Sequence, residues 1–308
     1  MNVTKALLDQ YFSFCKDQKG LDEKTLKAYR IDLRQFREFV GQYEKPFSKD
    51  TLESYCRDLH SKFKPRTAKR KIASAKAFCH WLEYEELVER TPFAKVHTKF
   101  REPKMLPRVI NLHDVTAIFQ TAYRVLASAQ TMSSERYALQ NAAVLELMFA
   151  TGVRVSELCH LNRKDVDLEA GQVRVYGKGD KERIIQIGSE DALRTLKSYR
   201  MQFEQDSSVR DFFFTNCHGS RLSEQSVRNM LGRYAQKAGL SEKITPHMFR
   251  HTVATLLLEA GVDIRYIQQF LGHSSIVTTE IYTHVSTTRQ KEILKEKHPR
   301  NNMQLISI

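Results

Sequence analysis

Apolar side chains recur at helical spacing along most of the chain. In the first hundred residues the pattern is clearest in Ala6–Phe14 and in Leu26–Val40, where apolar positions return every three or four residues. Asp22 and Ser48 each precede a run of this kind and are suitable N-caps. We find no alternation of apolar and polar residues in this part of the sequence. The pattern predicts a helical domain over residues 1–100.

Helical spacing returns in the second part of the chain and predicts helices over Leu112–Leu126 and Leu139–Ala150. Gly152 is placed to end the second of these helices, and Ser156 is placed to cap the next one. The intervening residues 127–137 are polar and read as a connection, to which the pattern assigns no role.

Strand-like alternation is confined to three short runs separated by glycine-containing turns, at residues 166–168, 172–176 and 183–186. They predict a small antiparallel sheet. Residues 101–108 contain two prolines and three basic residues without any period, and they read as a linker. The predicted fold class is mainly α with a small antiparallel β-sheet, in a helical domain (1–100) and an α+β domain (109–308).

Charge narrows the choice of partner. Lysine and arginine number 49 against 36 acidic residues, which gives a formal net charge of +13. Nucleic acid is the first candidate for an acidic partner, and an anionic membrane surface is the second. No stretch approaches the roughly 18 apolar residues of a membrane span, and the start lacks the apolar core of a signal peptide. The five cysteines are scattered without a Cys-x-x-Cys pair, which is typical of reduced thiols in the cytoplasm.

Basic residues are concentrated in one segment without an intervening acid. A solvated helix face usually mixes charges of both signs, so this run favours contact with a DNA backbone over an ordinary surface. Its first, fourth and last members are spaced by seven residues, which predicts a shared helix face. The predicted DNA-binding residues are Lys62, Lys64, Arg66, Lys69, Arg70, Lys71 and Lys76.

The groups best suited to chemistry lie near the carboxyl end. His247, Arg250 and His251 have i, i+3, i+4 spacing, which places them on one face of a helix. Thr245 is a suitable N-cap and Pro246 a suitable first helical residue, so this face lies near a helix start. Backbone N–H groups and the helix dipole favour phosphate binding at such a position.

The residues that follow add further groups suited to chemistry. Gly261 is placed to end the first helix, Asp263 to cap the next, and Gly272 to end that one directly before His273. Tyr282 follows nine residues later. A guanidinium, imidazoles and a phenol are the groups that phosphoryl transfer without a metal requires.

A zinc site is the competing interpretation of the two histidines, since His247 and His251 have the spacing of a zinc-binding helix. Arg250 lies between them, and no acid occupies the position of a metalloprotease glutamate. A cation beside the site would repel a metal ion. We therefore expect no metal.

The pattern His-x-x-Arg-His, then Leu-Gly-His, then Ile-Tyr-Thr-His resembles the tyrosine recombinase (phage integrase) family, especially the Xer-type site-specific recombinases. The resemblance extends to Ala150–Leu158 (ATGVRVSEL) and to Gly177-Lys-Gly179, and it covers nearly the whole chain. It implies a core-binding domain and a catalytic domain that close around a DNA duplex from opposite sides. It implies the catalytic residues Arg154, Lys178, His247, Arg250, His273 and Tyr282.

The resemblance also implies a reaction. Tyr282 attacks a phosphodiester to give a 3′-phosphotyrosyl intermediate that keeps the ester energy, so neither a metal, ATP nor another cofactor is expected. Lys178 in the hairpin loop is the expected general acid, with Lys181 as the alternative. Glu157 either orients Arg154 or another catalytic side chain, or is an ordinary acid at a helix start.

Two other functions remain open on the sequence alone. One is a type IB topoisomerase, which shares the chemistry but relaxes supercoils; the other is an inert DNA-binding regulator with the same fold. The apolar tail Met303–Ile308 is expected to dock, either on its own domain or, as the family implies, on a neighbouring subunit of a tetramer that joins two DNA sites.

Overall fold

The computed structural model describes residues 2–98, 108–177, 182–204 and 211–272. The chain divides into two compact units, Met1–Lys104 and Met105–Ile308. Within the described residues the structure is mostly helical with one small antiparallel sheet, which confirms the predicted fold class. None of the helices in those ranges is both long and apolar enough to cross a membrane.

The first unit consists of four α-helices, and the first three begin at a residue whose side chain caps them. The carboxylate of Asp22 accepts the backbone N–H of Thr25 at 2.8 Å, and the hydroxyl of Ser48 accepts that of Thr51 at 3.2 Å, as predicted. A 3₁₀ turn follows at Pro92–Lys95. The helices are α1 (Lys5–Asp17), α2 (Glu23–Val40), α3 (Lys49–Lys62) and α4 (Pro65–Tyr84).

Aromatic rings fill the core of the first unit. The ring of Tyr11 lies 5.3 Å from that of Phe78 and 5.3 Å from that of Trp81, and the ring of Phe36 lies 5.0 Å from that of Tyr55. All five side chains are at most 5% exposed. Burying a large apolar side chain contributes about 1.5–3 kcal/mol, so these contacts hold α1 against α4 and α2 against α3.

A buried ion pair also joins α2 to α4. Asp32 is fully buried, and the Lys71 ammonium donates to its Oδ1 at 2.9 Å and to Oε1 of Gln35 at 2.6 Å. Ser74 donates to Oδ2 of Asp32 at 3.0 Å, and Arg70 contacts the same oxygen. A buried carboxylate is tolerated only when it is neutralised and hydrogen-bonded in this way.

The second unit places a three-stranded sheet among seven helices of the described residues. The strands β1 (Val166–Asp167), β2 (Gln172–Tyr176) and β3 (Glu182–Gln186) pair antiparallel in the order β1-β2-β3, with Val173 opposite Ile185. A 3₁₀ turn, Arg163–Asp165, precedes β1. The helices are α5 (Leu112–Ala127), α6 (Met132–Thr151), α7 (Val155–His160), α8 (Glu190–Glu204), α9 (Glu224–Lys237), α10 (Pro246–Glu259) and α11 (Ile264–Leu271).

Helix α6 begins earlier than the apolar pattern predicts. Thr131 caps it, accepting the backbone N–H of Ser134 at 3.1 Å, while Ser134 accepts the backbone N–H of Thr131 at 3.1 Å. The connection from α5 is therefore 128–131, and the prediction of a connection over 127–137 was wrong. The first turns of α6 are exposed and mostly polar, and the apolar Met132 and Tyr137 do not follow helical spacing, so no apolar period marks a helix there.

Candidate active site

Helix α10 presents the His247–His251 group as the sequence predicts. The hydroxyl of Thr245 accepts the backbone N–H of Met248 at 3.4 Å, and Pro246 is the first helical residue. His247 is exposed in the first turn, His251 is half-buried, and Arg250 is only 4% exposed. The helix thus carries one guanidinium inward and one imidazole at the surface.

The guanidinium of Arg250 is held by two backbone carbonyls from different parts of the unit. Its Nη1 donates to the carbonyl oxygen of Gly152 at 2.7 Å, and its Nη2 donates to that of Leu271. Gly152 ends α6 in the left-handed conformation, with φ +58°. Arg250 therefore ties the end of α6 to the end of α11.

Arg154 lies in the turn between α6 and α7 and is itself the N-cap of α7. Its backbone N–H donates to Oε2 of Glu157 at 2.9 Å, and its Nη1 donates to Oε1 at 2.8 Å. The Nη2 atom donates to the carbonyl oxygen of Gly272 at 3.2 Å. The prediction that Ser156 caps this helix was wrong, because the helix starts one residue after Arg154 and Glu157 supplies the reciprocal capping bond.

Arg183 on β3 is a further member of this group that the sequence reasoning missed. Its Nη2 and Nη1 donate to the two carboxylate oxygens of Glu157 at 2.8 Å and 3.1 Å, and its Nε donates to the carbonyl oxygen of Phe270 at 3.3 Å. The available signal was the alternation of β3, which puts Arg183 on the same face as the buried Ile185.

Three arginines thus bind three consecutive carbonyls at the end of α11. Helix ends carry unpaired carbonyls and a partial negative charge, which guanidinium groups neutralise well. The approach is close at Gly272, where φ is +65° and a Cβ would lie 2.7 Å from Nη1 of Arg183. The pairs are Arg183 with Phe270, Arg250 with Leu271, and Arg154 with Gly272.

The environment sets the charges of two groups in this cluster. Burial alone would raise the pKa of Glu157, but hydrogen bonds from Arg183 and Arg154 and the charge of Arg183 outweigh it, so the pKa lies below its usual value. Burial, with the neighbouring His247 and Arg250, lowers the pKa of His251 to about 4. At neutral pH the site therefore contains a carboxylate, three guanidinium groups and a neutral His251.

Comparison with known proteins assigns the chain to a family. The Phage integrase family model matches residues 114–289, and the model of the phage integrase N-terminal SAM-like domain matches residues 8–86. A tyrosine recombinase of Agathobacter rectalis is 49% identical over 304 residues, which cover 98% of this chain and 99% of that protein. The chain belongs to the phage integrase family.

A further relative agrees with this assignment, and a solved structure agrees with the fold. Tyrosine recombinase XerD of Listeria innocua is 37% identical over 306 residues, covering 96% of this chain and 99% of that protein. The structure of the XerH site-specific recombinase bound to palindromic difH substrate has a TM-score of 0.75 at 22% identity, and the match covers 92% of this chain and 82% of XerH. The protein is a tyrosine site-specific recombinase, an enzyme of DNA recombination.

Several predicted positions of the recombinase lie outside the described residues. They are Lys178 and its alternative Lys181, His273, Tyr282, the tail Met303–Ile308 and nearly all of the linker 101–108. Of the predicted catalytic set, the structure brings together Arg154 and Arg250 at the end of α11, and places His247 in the first turn of α10. Gly272 directly precedes His273.

The two histidines of α10 differ in their surroundings. His247 is exposed whereas His251 is half-buried beside Arg250. Among the described residues no group of three or more histidines, cysteines or acids could hold a metal ion.

The basic segment is divided between two helices. Lys62 ends α3 and pairs with Asp58 at 2.7 Å, whereas α4 begins at Pro65. The backbone is extended at Phe63, so the spacing of seven residues does not place Lys62 on one helix face with Lys69 and Lys76. That part of the prediction was wrong.

The members of the segment on α4 differ in exposure. Lys71 is only 3% exposed and neutralises Asp32, so it does not fit a DNA contact, and its assignment to DNA was wrong. Arg70 contacts Asp32 but keeps about half of its side chain exposed, and Lys76 contacts the hydroxyl of Thr98. The exposed residues of the segment are Lys62, Lys64, Arg66, Lys69 and Arg70.

Proposed function

We propose that this recombinase cuts and rejoins DNA at specific sites by attack of Tyr282 on a phosphodiester. The observation that supports this most directly is the meeting of Arg154 and Arg250 at the end of α11, which directly precedes His273 in the sequence. Two guanidinium groups from distant parts of the sequence provide the concentrated positive charge that a phosphodiester in reaction requires.

The proposed residues account for every bond and proton that changes in the cleavage step. The oxygen of Tyr282 forms a bond to phosphorus, the bond from phosphorus to the 5′-oxygen breaks, and a 3′-phosphotyrosyl ester results. The phenolic proton passes to His247, and Lys178 supplies a proton to the departing 5′-oxygen. His273 donates a hydrogen bond to a non-bridging oxygen. Rejoining is the same reaction in reverse with another 5′-hydroxyl, so no ATP is consumed.

Charge near the phenol is what makes the attack feasible. A tyrosine of pKa about 10 is mostly protonated at pH 7, so about 4 kcal/mol must come from the site. Each charge-assisted hydrogen bond from an arginine to the phosphate contributes roughly 1.5–3 kcal/mol. Arg154 retains about a third of its side chain exposed, which leaves it accessible to a phosphate, while Arg250 is buried.

We assign contact with the DNA backbone to exposed cations of the first unit, namely Lys62, Lys64, Arg66 and Lys69, together with the exposed part of Arg70 and with Lys76. The net charge of +13 supports a polyanionic partner. XerH, of similar fold, is described as bound to a palindromic DNA site, and a palindrome is suited to two symmetrically placed copies of a protein.

We further propose that four copies act on two DNA sites in the bacterial cytoplasm, linked by docking of the apolar tail Met303–Ile308 on a neighbouring subunit. Deleting residues 301–308 is then expected to preserve binding to a single DNA site and to impair pairing of two sites. Gel shift and recombination assays distinguish the two effects. Unchanged pairing and product yield in the truncated protein would argue against docking between subunits.

The test of the proposed chemistry is trapping on nicked duplexes prepared from a genomic library, because a nick next to the cleavage point releases a short fragment and prevents rejoining. Wild type is expected to form a denaturation-resistant adduct, and sequencing of its DNA identifies the site. Tyr282→Phe is expected to bind that DNA with unchanged affinity and to form no adduct, since only the attacking oxygen is removed. An adduct that persists in Tyr282→Phe would assign the nucleophile to another residue.

A further inference from the structure

Arg183 occupies a position at which a strand normally presents an apolar side chain. Alternation along β3 puts Arg183 on the inner face with Ile185, while Glu182, Ile184 and Gln186 are exposed. The side chain of Arg183 is only 14% exposed. A buried guanidinium requires partners for its charge and its donors.

Those partners join three separate elements. The two terminal nitrogens of Arg183 form a bidentate pair with Glu157 in the first turn of α7, and its Nε binds the carbonyl of Phe270 at the end of α11. Glu157 in turn receives the backbone N–H and Nη1 of Arg154. Arg183 is therefore linked to Arg154 through Glu157. Its other partner, Phe270, lies two residues before Gly272.

We propose that Arg183 is a positioning residue for DNA cleavage. It fixes the carboxylate of Glu157 so that Glu157 holds Arg154 in place, and it fixes the end of α11, from which the chain continues into His273. The proposal rests on the proposed function, because its effect on rate requires Arg154 and His273 to act on the phosphate. Arg183 itself does not need to touch DNA.

The chemistry of the contact decides which substitutions are informative. Arg183→Gln removes the charge and the bidentate pair, whereas Arg183→Lys keeps the charge but offers a single ammonium that cannot bind both carboxylate oxygens and the carbonyl of Phe270 together. A displacement of about 1 Å at a reacting group lowers a rate by about 100-fold. We expect a loss of this size in Arg183→Gln and a smaller loss in Arg183→Lys.

The rate is measured as single-turnover adduct formation at saturating DNA, on the nicked duplex that wild type cleaves, with affinity measured separately by gel shift. Arg183→Gln is expected to lower the rate and to change the dissociation constant less than about twofold, since the contact is internal. Arg174→Gln is the matched control, because Arg174 lies on the adjacent strand in an exposed pair with Glu182. A control that loses as much rate as Arg183→Gln would overturn the proposal.

A double-mutant cycle separates positioning from general structural damage. If Arg183 acts through Arg154, the loss caused by Arg183→Gln becomes much smaller when Arg154 is already replaced by lysine. Losses that multiply independently in the double variant would show that Arg183 does not act through Arg154, and would overturn the proposal.

Hydrogen exchange provides a measurement that does not depend on cleavage. In Arg183→Gln without DNA, amide exchange in residues 264–272 is expected to accelerate by at least tenfold, while exchange in α5 and α9 stays unchanged. Unchanged exchange in α11 would overturn the anchoring of this helix by Arg183. If wild type forms no adduct on any duplex, the proposed function fails, yet the exchange result still decides whether Arg183 holds α11.

Discussion

The ion pair between Lys71 and Asp32 permits a sharp test of the packing in the first unit. The informative change is Lys71→Met, which keeps most of the side-chain volume and removes the ammonium. Asp32 then remains fully buried with only Arg70 and Ser74 as partners. Because the volume is nearly conserved, the effect reports on charge and hydrogen bonding rather than on a cavity.

The expected magnitude follows from the geometry of the pair. Removing one partner of a buried ion pair costs about 3–5 kcal/mol, because an uncompensated charge is left inside. Arg70 still neutralises part of the carboxylate, which places the loss near the lower limit, at about 3 kcal/mol. With an m value of about 1.5 kcal/mol/M, the urea midpoint of the first unit should fall by about 2 M.

The assay uses the single tryptophan of the chain. Trp81 is buried among Tyr11, Phe14 and Phe78, so its fluorescence in urea reports on the first unit of the intact protein. Unfolding curves of wild type and Lys71→Met, fitted with a common slope, give the loss directly.

Lys69→Met is the matched control, since Lys69 lies two residues away on the exposed side of α4. Lys69→Met should change the free energy of unfolding by less than about 0.5 kcal/mol and should weaken binding to DNA. Lys71→Met should bind DNA with unchanged affinity when it is measured without urea, where both variants are folded. A midpoint within 0.3 M or so of wild type in Lys71→Met would refute the reasoning about the buried charge. Loss of DNA affinity by folded Lys71→Met would restore Lys71 to the DNA contacts.

Two further predictions concern the second unit. Gly272→Ala should lower its melting temperature in calorimetry, because a left-handed alanine costs about 1–2 kcal/mol and the new Cβ would displace Arg183; Gly232→Ala in α9, where nothing lies within 4 Å, should instead be neutral or stabilising. For His251 the folded pKa of about 4 lies below the unfolded value, so stability should decrease as pH falls from 6.5 towards 4. His251→Gln should flatten this dependence. If the melting temperatures of variant and wild type fall equally between pH 6.5 and pH 4, the prediction is wrong.

Features that depend on neighbouring residues were predictable from the sequence. The caps Asp22, Ser48, Thr245 and Asp263 were all confirmed, because a capping bond spans two or three residues and is visible in the chemistry of the side chain. The resemblance to a known family added the order of the motifs. The early start of α6 was missed since its first turns are exposed and carry no apolar period.

Features that depend on distant partners were not predictable in the same way. In the sequence Lys71 resembles the other cations of the basic run. Only the fold shows that it is buried in an ion pair with Asp32, which lies 39 residues earlier. The sequence did not decide between two roles for Glu157, because its second partner, Arg183, is 26 residues away and on a strand. Alternation along β3 marked Arg183 as inward-facing, but its carboxylate partner required the structure.

The three arginines at the end of α11 bind main-chain oxygens, and this has a consequence for how the sequence can change over evolution. A carbonyl is present at residues 270 and 271 whatever the side chain, so no substitution on the helix can compensate for the loss of Arg183 or Arg250. Among related sequences these arginines should therefore vary independently of the side chains they face. Glu157 is the exception, because it meets Arg183 through its side chain, and the two should be lost or exchanged together.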